Sequence, residues 1–350
     1  MSPSKQQRIV RFLFFLGIVR WYNILLVLLA QYITAFYIHL SRFRGYLLFG
    51  DSMHGRHLKL QAPTELSILQ RLKWLSWDFV SDATLHFMAF ATVFTVASAF
   101  IINYFYDVDK DLVNRPNMAI MGQAVGTRHL ANFYVLFNSV GLLFAYLASL
   151  KIFLFFIGFQ FLCWFYSHKL QKIPFVREIS SSLLTLLPLL AAWLHMGYAD
   201  WDLIYFFSAL WVVLFNKDLL KDMLGHRGNL IFGYKTAVVM VGRSMASFGF
   251  VMLNAGVVAF FFISQWILSI GFAIENPAHD SWIQVFASSG LIGSSSVSVL
   301  ASWIISWSTM KQSESWIRWM LRLQKAVLVY HIAGIVLVLI RYAVKYQIFL

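Results

Sequence analysis

Long apolar runs alternate with short polar segments along almost all of this 350-residue chain. Helices of about 17 to 25 apolar residues can cross the hydrocarbon core of a bilayer. Because 60% of the residues are hydrophobic and only 12% are charged, a soluble globular core is excluded. The candidate spans lie at approximately 12–40, 84–106, 130–149, 151–167, 179–198, 202–216, 244–272, 283–307 and 324–346. We therefore expect an all-α, polytopic membrane bundle of about nine transmembrane helices, with residues 1–350 forming a single domain.

The distribution of basic residues predicts the orientation of this bundle. With the N-terminus in the cytoplasm, most Lys and Arg residues fall in cytoplasmic segments, as the positive-inside rule requires. The exception is the long first extracytoplasmic loop, residues 41–82, whose Trp74 and Trp77 suit an interfacial helix against the lipid headgroups. The formal net charge of +13 is thus interpreted as a membrane-surface signature. Nucleic-acid binding is not expected, because no soluble domain is predicted that could carry a groove.

A polar segment follows the second predicted span at its cytoplasmic end. Asn103, Asp107 and Asp111 recur at every fourth position, so on a helix they share one face over about two turns. Mg²⁺ prefers hard oxygen ligands and is commonly shared between one or two carboxylates and substrate phosphates. Acidic residues at the end of an apolar run are functional by default in a membrane, although the two carboxylates could also simply solvate the helix end. The pattern favours a magnesium–diphosphate site.

A second polar segment follows the sixth predicted span and should face the first one. Its charged residues are Lys217, Asp218, Lys221, Asp222, Arg227 and Lys235. A mixture of both signs is unusual for a connector and suits a cradle for a metal and a diphosphate. Asp218 and Asp222 are themselves spaced four residues apart. The alternative is that they form ion pairs with Lys217 or Lys221 on a solvated face.

The first polar segment resembles the signature of the UbiA superfamily of intramembrane prenyltransferases. The superfamily pattern N-x-x-x-D-x-x-x-D-x-x-N-R-P is matched in place by Asn103, Asp107, Asp111, Asn114, Arg115 and Pro116. Near the start of the first span, Arg20-Trp-Tyr-Asn23 resembles the superfamily's R-P-x-N. Tyr166-Ser167 and Pro174 resemble part of its Y-S-x-x-x-K-x-x-P-x-x-G-N segment. The resemblance covers most of the chain and implies the same nine-helix fold.

The second polar segment matches the superfamily only at its ends. Lys221-Asp222 and the stretch 233–236 keep the spacing of the pattern K-D-x-E-D-x-x-G-D-R-x-x-G-x-x-T. Between them, Gly225 and Asn229 stand where the pattern has Asp, and Leu230 stands where it has Arg. A second metal ion would lose much of its charge stabilisation with neutral ligands.

Further departures lie just before the fifth span. Gln171 replaces the pattern's Lys, and Arg177-Glu178 replaces its Gly-Asn. Because Asp222 precedes position 225 by less than one helical turn, a modest shift could bring Asp218 and Asp222 to the second metal.

The resemblance implies Mg²⁺-dependent transfer of a polyprenyl group from an isoprenyl diphosphate to a hydrophobic acceptor. That acceptor would be an aromatic quinone precursor or a lipid-like molecule, with membrane lipid around the bundle. By this resemblance Asp107 and Asp111, supported by Asn103, hold Mg²⁺, and Asp222 with Asp218 holds a second ion. The implied diphosphate contacts are Arg20, Arg115, Tyr166, Lys172 and Lys235.

Two other functions are compatible with the sequence. The departures in the second segment also suit a non-catalytic UbiA-like protein that binds a prenyl lipid or a partner membrane enzyme. A small-solute carrier is less consistent, because such a carrier has a site at the membrane midplane, whereas the polar residues here gather at one face. Cys163 is the only cysteine, which excludes an intramolecular disulfide and a thiolate cluster. We expect an integral, multi-pass membrane protein with its N-terminus and both polar segments in the cytoplasm.

Overall fold

The computed structural model describes residues 5–42, 68–114, 116–197, 201–275, 290–308 and 313–345, and the regular secondary structure in these ranges is helical. The first helices are α1 (Lys5–Val19), α2 (Trp21–Arg42), α3 (Ile68–Ser81), α4 (Ala83–Asn114), α5 (Pro116–Val125), α6 (Thr127–Ala148) and α7 (Leu150–His168). A 3₁₀ turn at Leu170–Lys172 leads to α8 (Val176–Met196), α9 (Trp201–Leu224), α10 (His226–Ile231), α11 (Ala237–Glu275), α12 (Gly290–Ser308) and α13 (Glu314–Lys345).

Helix length and hydropathy support a membrane bundle. Within the described ranges, six helical segments are long and apolar enough to cross a membrane: Trp21–Arg42, Ala83–Asn114, Thr127–Ala148, Leu150–Lys172, Val176–Met196 and Leu203–Leu224. A shorter apolar stretch, Ser244–Phe260, lies in α11. The expected all-α membrane fold is confirmed, whereas the count of nine spans is not. Part of the eighth predicted span, 283–307, lies outside the described residues.

Local sequence explains several helix ends. The first apolar run is divided at Arg20, whose backbone has a φ of 51°, a conformation that ends α1 before α2 begins. Ser149 is extended between α6 and α7, and its hydroxyl accepts a hydrogen bond from the Ile152 backbone N–H at 3.2 Å, an N-cap. Gly197 ends α8 in the left-handed region at φ 65°.

The helices pack as two connected groups. In the first group α4 packs on α6 and α7, and α2 packs on α8. In the second group α12 packs on α9, α11 and α13, and α9 also packs on α11 and α13. Contacts of α8 with α9 and of α2 with α13 join the groups, while α10 packs against α4. The two polar segments of the sequence are thereby brought to one end of the bundle, as predicted.

The predicted extracytoplasmic loop 41–82 contains helix α3 in its second half. Leu75 and Phe79 are buried, and the Phe79 ring meets Phe36 of α2 edge-on at a centroid distance of 5.1 Å. Trp77 points away from this contact and is 72% exposed. An interfacial position for α3 agrees with this amphipathic pattern and stays a prediction, and residues 43–67 lie outside the described ranges.

Candidate active site

The C-terminal end of α4 carries a group that we call the first acidic site, made of Asn103, Asp107, Lys110 and Asp111. The carboxylates of Asp107 and Asp111 are buried on one face of the helix, whereas Asp109 is exposed. Asn103 Nδ2 donates a hydrogen bond to Asp107 Oδ2 at 3.1 Å. Lys110 Nζ donates to the other oxygen of Asp107 at 2.7 Å and is itself buried. Asp107 is thus paired with Lys110, and Asp111 adds a second buried carboxylate to the same helix face.

Tyr234 covers the first acidic site from the segment that precedes α11. Lys110 Nζ lies 4.6 Å from the centre of the Tyr234 ring, a cation–π distance. The Tyr234 hydroxyl donates to the backbone oxygen of Tyr106 at 3.1 Å. Burial raises the pKa of Tyr234 to about 12, the charge of Asp107 adds to the rise, and Arg177 opposes it. Tyr234 therefore stays protonated at neutral pH, within electrostatic reach of both α4 and α8.

The C-terminal end of α9 carries the second acidic site, which comprises Asp218, Lys221 and Asp222 together with Arg177 and Glu178 of α8. Asp218 Oδ1 accepts a hydrogen bond from Lys221 Nζ at 2.9 Å and lies 3.8 Å from Lys217 Nζ. Ser181 Oγ of α8 donates to Asp218 Oδ2 at 2.7 Å. The lysine pairing left open by the sequence is therefore present at Asp218.

Asp222 has a different partner, the guanidinium group of Arg177. Arg177 Nη2 lies 2.5 Å from Asp222 Oδ1, with the two side chains only 16% and 5% exposed. Glu178 also lies against Asp222, and its Oε1 accepts the Ala237 backbone N–H of α11 at 3.2 Å. Buried Arg177 Nη1 and Glu178 Oε2 have no hydrogen-bond partner among the described residues. The buried carboxyl groups of Asp222 and Glu178 therefore face one guanidinium group, that of Arg177. Its Nη1 can still donate a hydrogen bond to another acceptor.

The start of α8 is built to place Arg177 in this position. Phe175 precedes the helix with a φ of 64°, a left-handed conformation that is costly for an aromatic residue. Arg177 and Ser181 follow four residues apart and so share the helix face that meets α9. Tyr166 of α7 contacts Ser181 and lies within electrostatic reach of Arg177. The first turn of α8 and the end of α7 thus converge on the carboxylates of α9.

Helix α10 connects the two acidic sites through Asn114, the last residue of α4. A β-carbon placed on Gly228 would overlap the Asn114 side-chain amide. At Gly225, a β-carbon would instead lie 3.6 Å from Asn114 Nδ2 and 3.8 Å from Asn229 Nδ2, which are ordinary contacts. Asn229 is buried, and its Nδ2 has no hydrogen-bond partner among the described residues. Gly228 is therefore required for close packing of α10 on α4, whereas Gly225 is not.

The remaining predicted diphosphate contacts are distributed around this end of the bundle. The Arg20 guanidinium lies 5.0 Å from the centre of the Phe100 ring, which is one turn before Asn103 on α4. Lys172 and Lys235 are exposed, and Arg115 lies outside the described residues. The structure thus brings Arg20 towards the first acidic site and Tyr166 towards the second. The binding roles of all five residues stay predictions.

Sequence reasoning assigned no role to several residues that the structure places in the site: Lys110, Arg177, Glu178, Ser181 and Tyr234. Arg177 and Glu178 replace the Gly-Asn of the superfamily pattern. From the sequence this replacement indicates only a departure from the pattern, whereas the structure shows that both residues lie beside Asp222. Lys110 lies within the first motif, three residues after Asp107, where a helix allows an ion pair. Tyr234 follows a loop whose path depends on tertiary packing, so its sequence position carries no such signal.

A comparison with models of protein families identifies the family of this chain. A model described as the UbiA prenyltransferase family matches residues 72–279, which include both acidic sites. The chain belongs to this family. The resemblance that rests on the first motif is thereby confirmed.

Among curated relatives of this UbiA family chain are digeranylgeranylglyceryl phosphate synthases from archaea. The protein of Pyrococcus horikoshii is 32% identical over 160 residues, which are 43% of this chain and 56% of the relative. The protein of Pyrococcus abyssi is 29% identical over 147 residues, covering 42% of this chain and 52% of the relative. The chain therefore spans about half the length of the curated relatives that it matches.

Solved structures of UbiA homologues share the fold. A homologue from Archaeoglobus fulgidus, bound to GPP and Mg²⁺, aligns with a TM-score of 0.52 and 15% identity over 92% of this chain and 99% of its own. The apo homologue from Aeropyrum pernix K1 aligns with a TM-score of 0.55 and 13% identity over 88% and 98% of the two chains. At these identities the similarity establishes a shared UbiA fold.

Proposed function

We propose that this UbiA family protein is an integral-membrane prenyltransferase that moves a polyprenyl group from an isoprenyl diphosphate to a lipid-like acceptor. The observation that carries the proposal is the helix face that Asn103, Asp107 and Asp111 share at the polar end of α4, with both carboxylates buried. Arg177 lies within electrostatic reach of Asp107, and the positive charges of Arg177 and Lys221 in the second acidic site suit an anionic leaving group.

The first acidic site fits one Mg²⁺. Two carboxylates and an amide are the hard oxygen donors that this ion shares with substrate phosphates and water. The described residues hold no cluster of three or more His, Cys, Asp or Glu side chains suited to a metal, so the ion would take further ligands from a substrate. Bound there, Mg²⁺ would stabilise negative charge on the departing diphosphate. The Archaeoglobus homologue bound to GPP and Mg²⁺ supports the same chemistry for this chain.

The residues of this chain have separable tasks in such a reaction. Asp107 and Asp111 would hold the metal, and Asn103 orients Asp107 by its hydrogen bond. Lys110 forms an ion pair with Asp107, and its remaining N–H groups would donate to a phosphate oxygen. As the bond between the prenyl carbon and diphosphate breaks, the acceptor supplies the electron pair that forms the new bond at that carbon. The diphosphate leaves as the anion that the basic side chains stabilise, and it takes up the proton that the attacking hydroxyl loses.

The names of the relatives favour the lipid-like acceptor over an aromatic one. The curated relatives are synthases of digeranylgeranylglyceryl phosphate, a prenylated glycerol phosphate. We propose an acceptor of this kind, with a hydroxyl as the attacking group and an apolar chain that lies among the helices. We propose that the two polar segments lie in the cytoplasm, as the positive-inside rule predicts.

The test is release of inorganic pyrophosphate from purified protein in lipid nanodiscs. A panel of geranyl, farnesyl and geranylgeranyl diphosphates is combined with prenylated glycerol phosphates and with quinone precursors, each with Mg²⁺ and with EDTA. We expect Mg²⁺-dependent turnover with a glycerol phosphate acceptor. Turnover with quinone precursors alone would contradict the acceptor, and no turnover with any pair despite diphosphate binding would contradict transferase activity.

Exposed Asp109 provides a matched control within the same motif. Asp109→Asn changes a carboxylate only two residues from Asp107 but on the solvent side of α4. We expect this variant to keep wild-type pyrophosphate release. A loss equal to that of Asp107→Asn would mean that general charge at the helix end, rather than the buried face, supports the reaction.

A further inference from the structure

We propose that the guanidinium group of Arg177 takes the place of a second metal ion, so that this protein binds its diphosphate with one divalent cation and one built-in cation. The inference rests on the proposed function, because it concerns the same diphosphate. Its starting observation is that Asp222, a residue predicted to bind a second ion, lies against Arg177 Nη2 at 2.5 Å.

The donors around Asp222 do not fit a second Mg²⁺. Gly225 and Leu230 offer no side-chain ligand, and Asn229 offers only an amide. Asp218 is already engaged by Ser181 and Lys221. Only Asp222 and Glu178 remain as carboxyl groups, and they face the same guanidinium.

The charges of the second acidic site are already balanced without a metal. Three acidic side chains, Asp218, Asp222 and Glu178, stand against Arg177, Lys221 and Lys217. A divalent ion added to this group would create an excess of positive charge in a buried setting, which is costly. The first acidic site differs, because Asp107 and Asp111 share one helix face with the Asn103 amide, a set of oxygen donors that suits a divalent ion.

The geometry of Arg177 leaves one donor for a ligand. Its Nη2 is held by Asp222, whereas Nη1 is buried and has no partner among the described residues. An unsatisfied buried donor is unfavourable and is a strong site for an anionic acceptor. A planar guanidinium can bind a carboxylate through one nitrogen and a phosphate oxygen through the other. Arg177 also lies within electrostatic reach of Asp107, so a diphosphate held by an ion at the first site would be close to it.

The two neighbours of Arg177 fix this arrangement. Glu178 is anchored by the Ala237 backbone N–H at the start of α11, and Phe175 holds the strained turn before α8. The Gly-Asn of the superfamily pattern supplies neither a cation nor a carboxylate at these positions. The replacement of both residues together is therefore coherent: Arg177 supplies the positive charge, and Glu178 helps to hold it.

The first experiment counts metal ions on the wild-type chain. Mn²⁺ is titrated into detergent-solubilised protein saturated with geranyl S-thiolodiphosphate, an unreactive diphosphate analogue, and bound ions are counted by electron paramagnetic resonance. We expect one ion per chain. Two ions per chain would overturn the proposal even though the proposed prenyltransferase function would stand, whereas absence of analogue binding would overturn both.

The second experiment measures analogue binding without metal. In EDTA, Arg177→Gln should weaken binding of the analogue by about 10-fold to 100-fold, since a charge-assisted hydrogen bond to the ligand is lost. Arg177→Lys should recover part of the affinity, because it keeps the charge but not the planar donors. Arg128 is an exposed basic residue at the start of α6. The matched control Arg128→Gln should bind the analogue with wild-type affinity. Equal affinity of Arg177→Gln and the wild type would contradict the assignment.

Discussion

The two acidic sites present the same pair of residues in the same spacing and differ in what surrounds them. Asp107 and Asp111 on α4, like Asp218 and Asp222 on α9, stand four residues apart near a helix end. At the first site two carboxylates are buried on one helix face, and Lys110 pairs with Asp107. At the second site the neighbouring helix supplies Arg177, and two lysines lie beside Asp218. Equal spacing of the carboxylates therefore does not imply equal metal affinity, because metal affinity also depends on the basic residues beside them.

The largest expected effect comes from breaking the first site. Asp107→Asn should lower turnover by about 1,000-fold or more, on the order of 4 kcal/mol in activation free energy, because the metal loses a principal ligand. Pyrophosphate release measures this effect, and size-exclusion chromatography checks that the bundle is intact. Retained activity would show that the metal is held elsewhere.

Breaking the second site should affect stability more than metal binding. Asp222→Asn leaves the buried Arg177 with a weaker partner, which we expect to cost up to about 3 kcal/mol because Glu178 still faces the guanidinium. Thermal unfolding in detergent should show a lowered midpoint. Exposed Asp109→Asn serves as the control and should unfold like the wild type. An unchanged midpoint for Asp222→Asn would mean that the ion pair contributes little to folding.

Restoring the superfamily residues at the second site tests whether Arg177 opposes metal binding there. We expect Arg177→Gly in the chain that also carries Gly225→Asp and Asn229→Asp to admit a second Mn²⁺, which the same resonance titration would count. With Arg177 retained, the two added carboxylates already make the site more negative, so we expect a second ion to bind there more weakly than in the triple variant. Equal affinity for the second Mn²⁺ with and without Arg177 would show that this side chain does not oppose metal binding.

A smaller effect separates the two glycines of α10. Gly228→Ala should destabilise the protein by about 1–3 kcal/mol, since its β-carbon would overlap Asn114. Gly225→Ala is the matched variant, and its β-carbon meets only ordinary contacts, the nearest at 3.4 Å. Thermal unfolding distinguishes the two substitutions. Equal loss for both would indicate that backbone freedom, rather than space beside α4, is the constraint.

The smallest effect is expected at Tyr234, which covers the first site. Tyr234→Phe removes the hydrogen bond to the Tyr106 carbonyl but keeps the ring beneath Lys110, so we expect a cost of about 1 kcal/mol. The raised pKa of Tyr234 means that its hydroxyl stays protonated at low and neutral pH, and that its stabilising hydrogen bond is lost only as the pH rises from about 10 towards 12. If the thermal unfolding midpoints of Tyr234→Phe and the wild type at pH 7 agree within the measurement error, the hydrogen bond does not contribute to stability.

Much of the fold could be predicted from the sequence, because apolar runs of membrane length require helices. Both acidic sites were also visible, since residues four apart must share a helix face. The count of nine spans is not confirmed, and the division of the first run at Arg20 depends on a single backbone angle. Run lengths alone do not specify such a break.

The partner of Asp222 could not be predicted in the same way. Arg177 is 45 positions earlier in the chain, and its distance from Asp222 depends on how α8 packs against α9. The strained backbone at Phe175 contributes as well and is not expected for an aromatic residue. A pattern comparison could therefore mark Arg177 and Glu178 as departures, but only tertiary packing shows that they complete the second site.

The contrast between the two sites is tested most directly by Mn²⁺ affinity in two matched variants, Asp107→Asn and Asp222→Asn. Both replace one buried carboxylate by an amide, and both are titrated in the presence of geranyl S-thiolodiphosphate. We expect Asp107→Asn to lose at least about 30-fold in Mn²⁺ affinity, or roughly 2 kcal/mol, and Asp222→Asn to stay within about threefold of the wild type. An equal loss in the two variants would contradict the account, because it would show that both acidic sites bind metal.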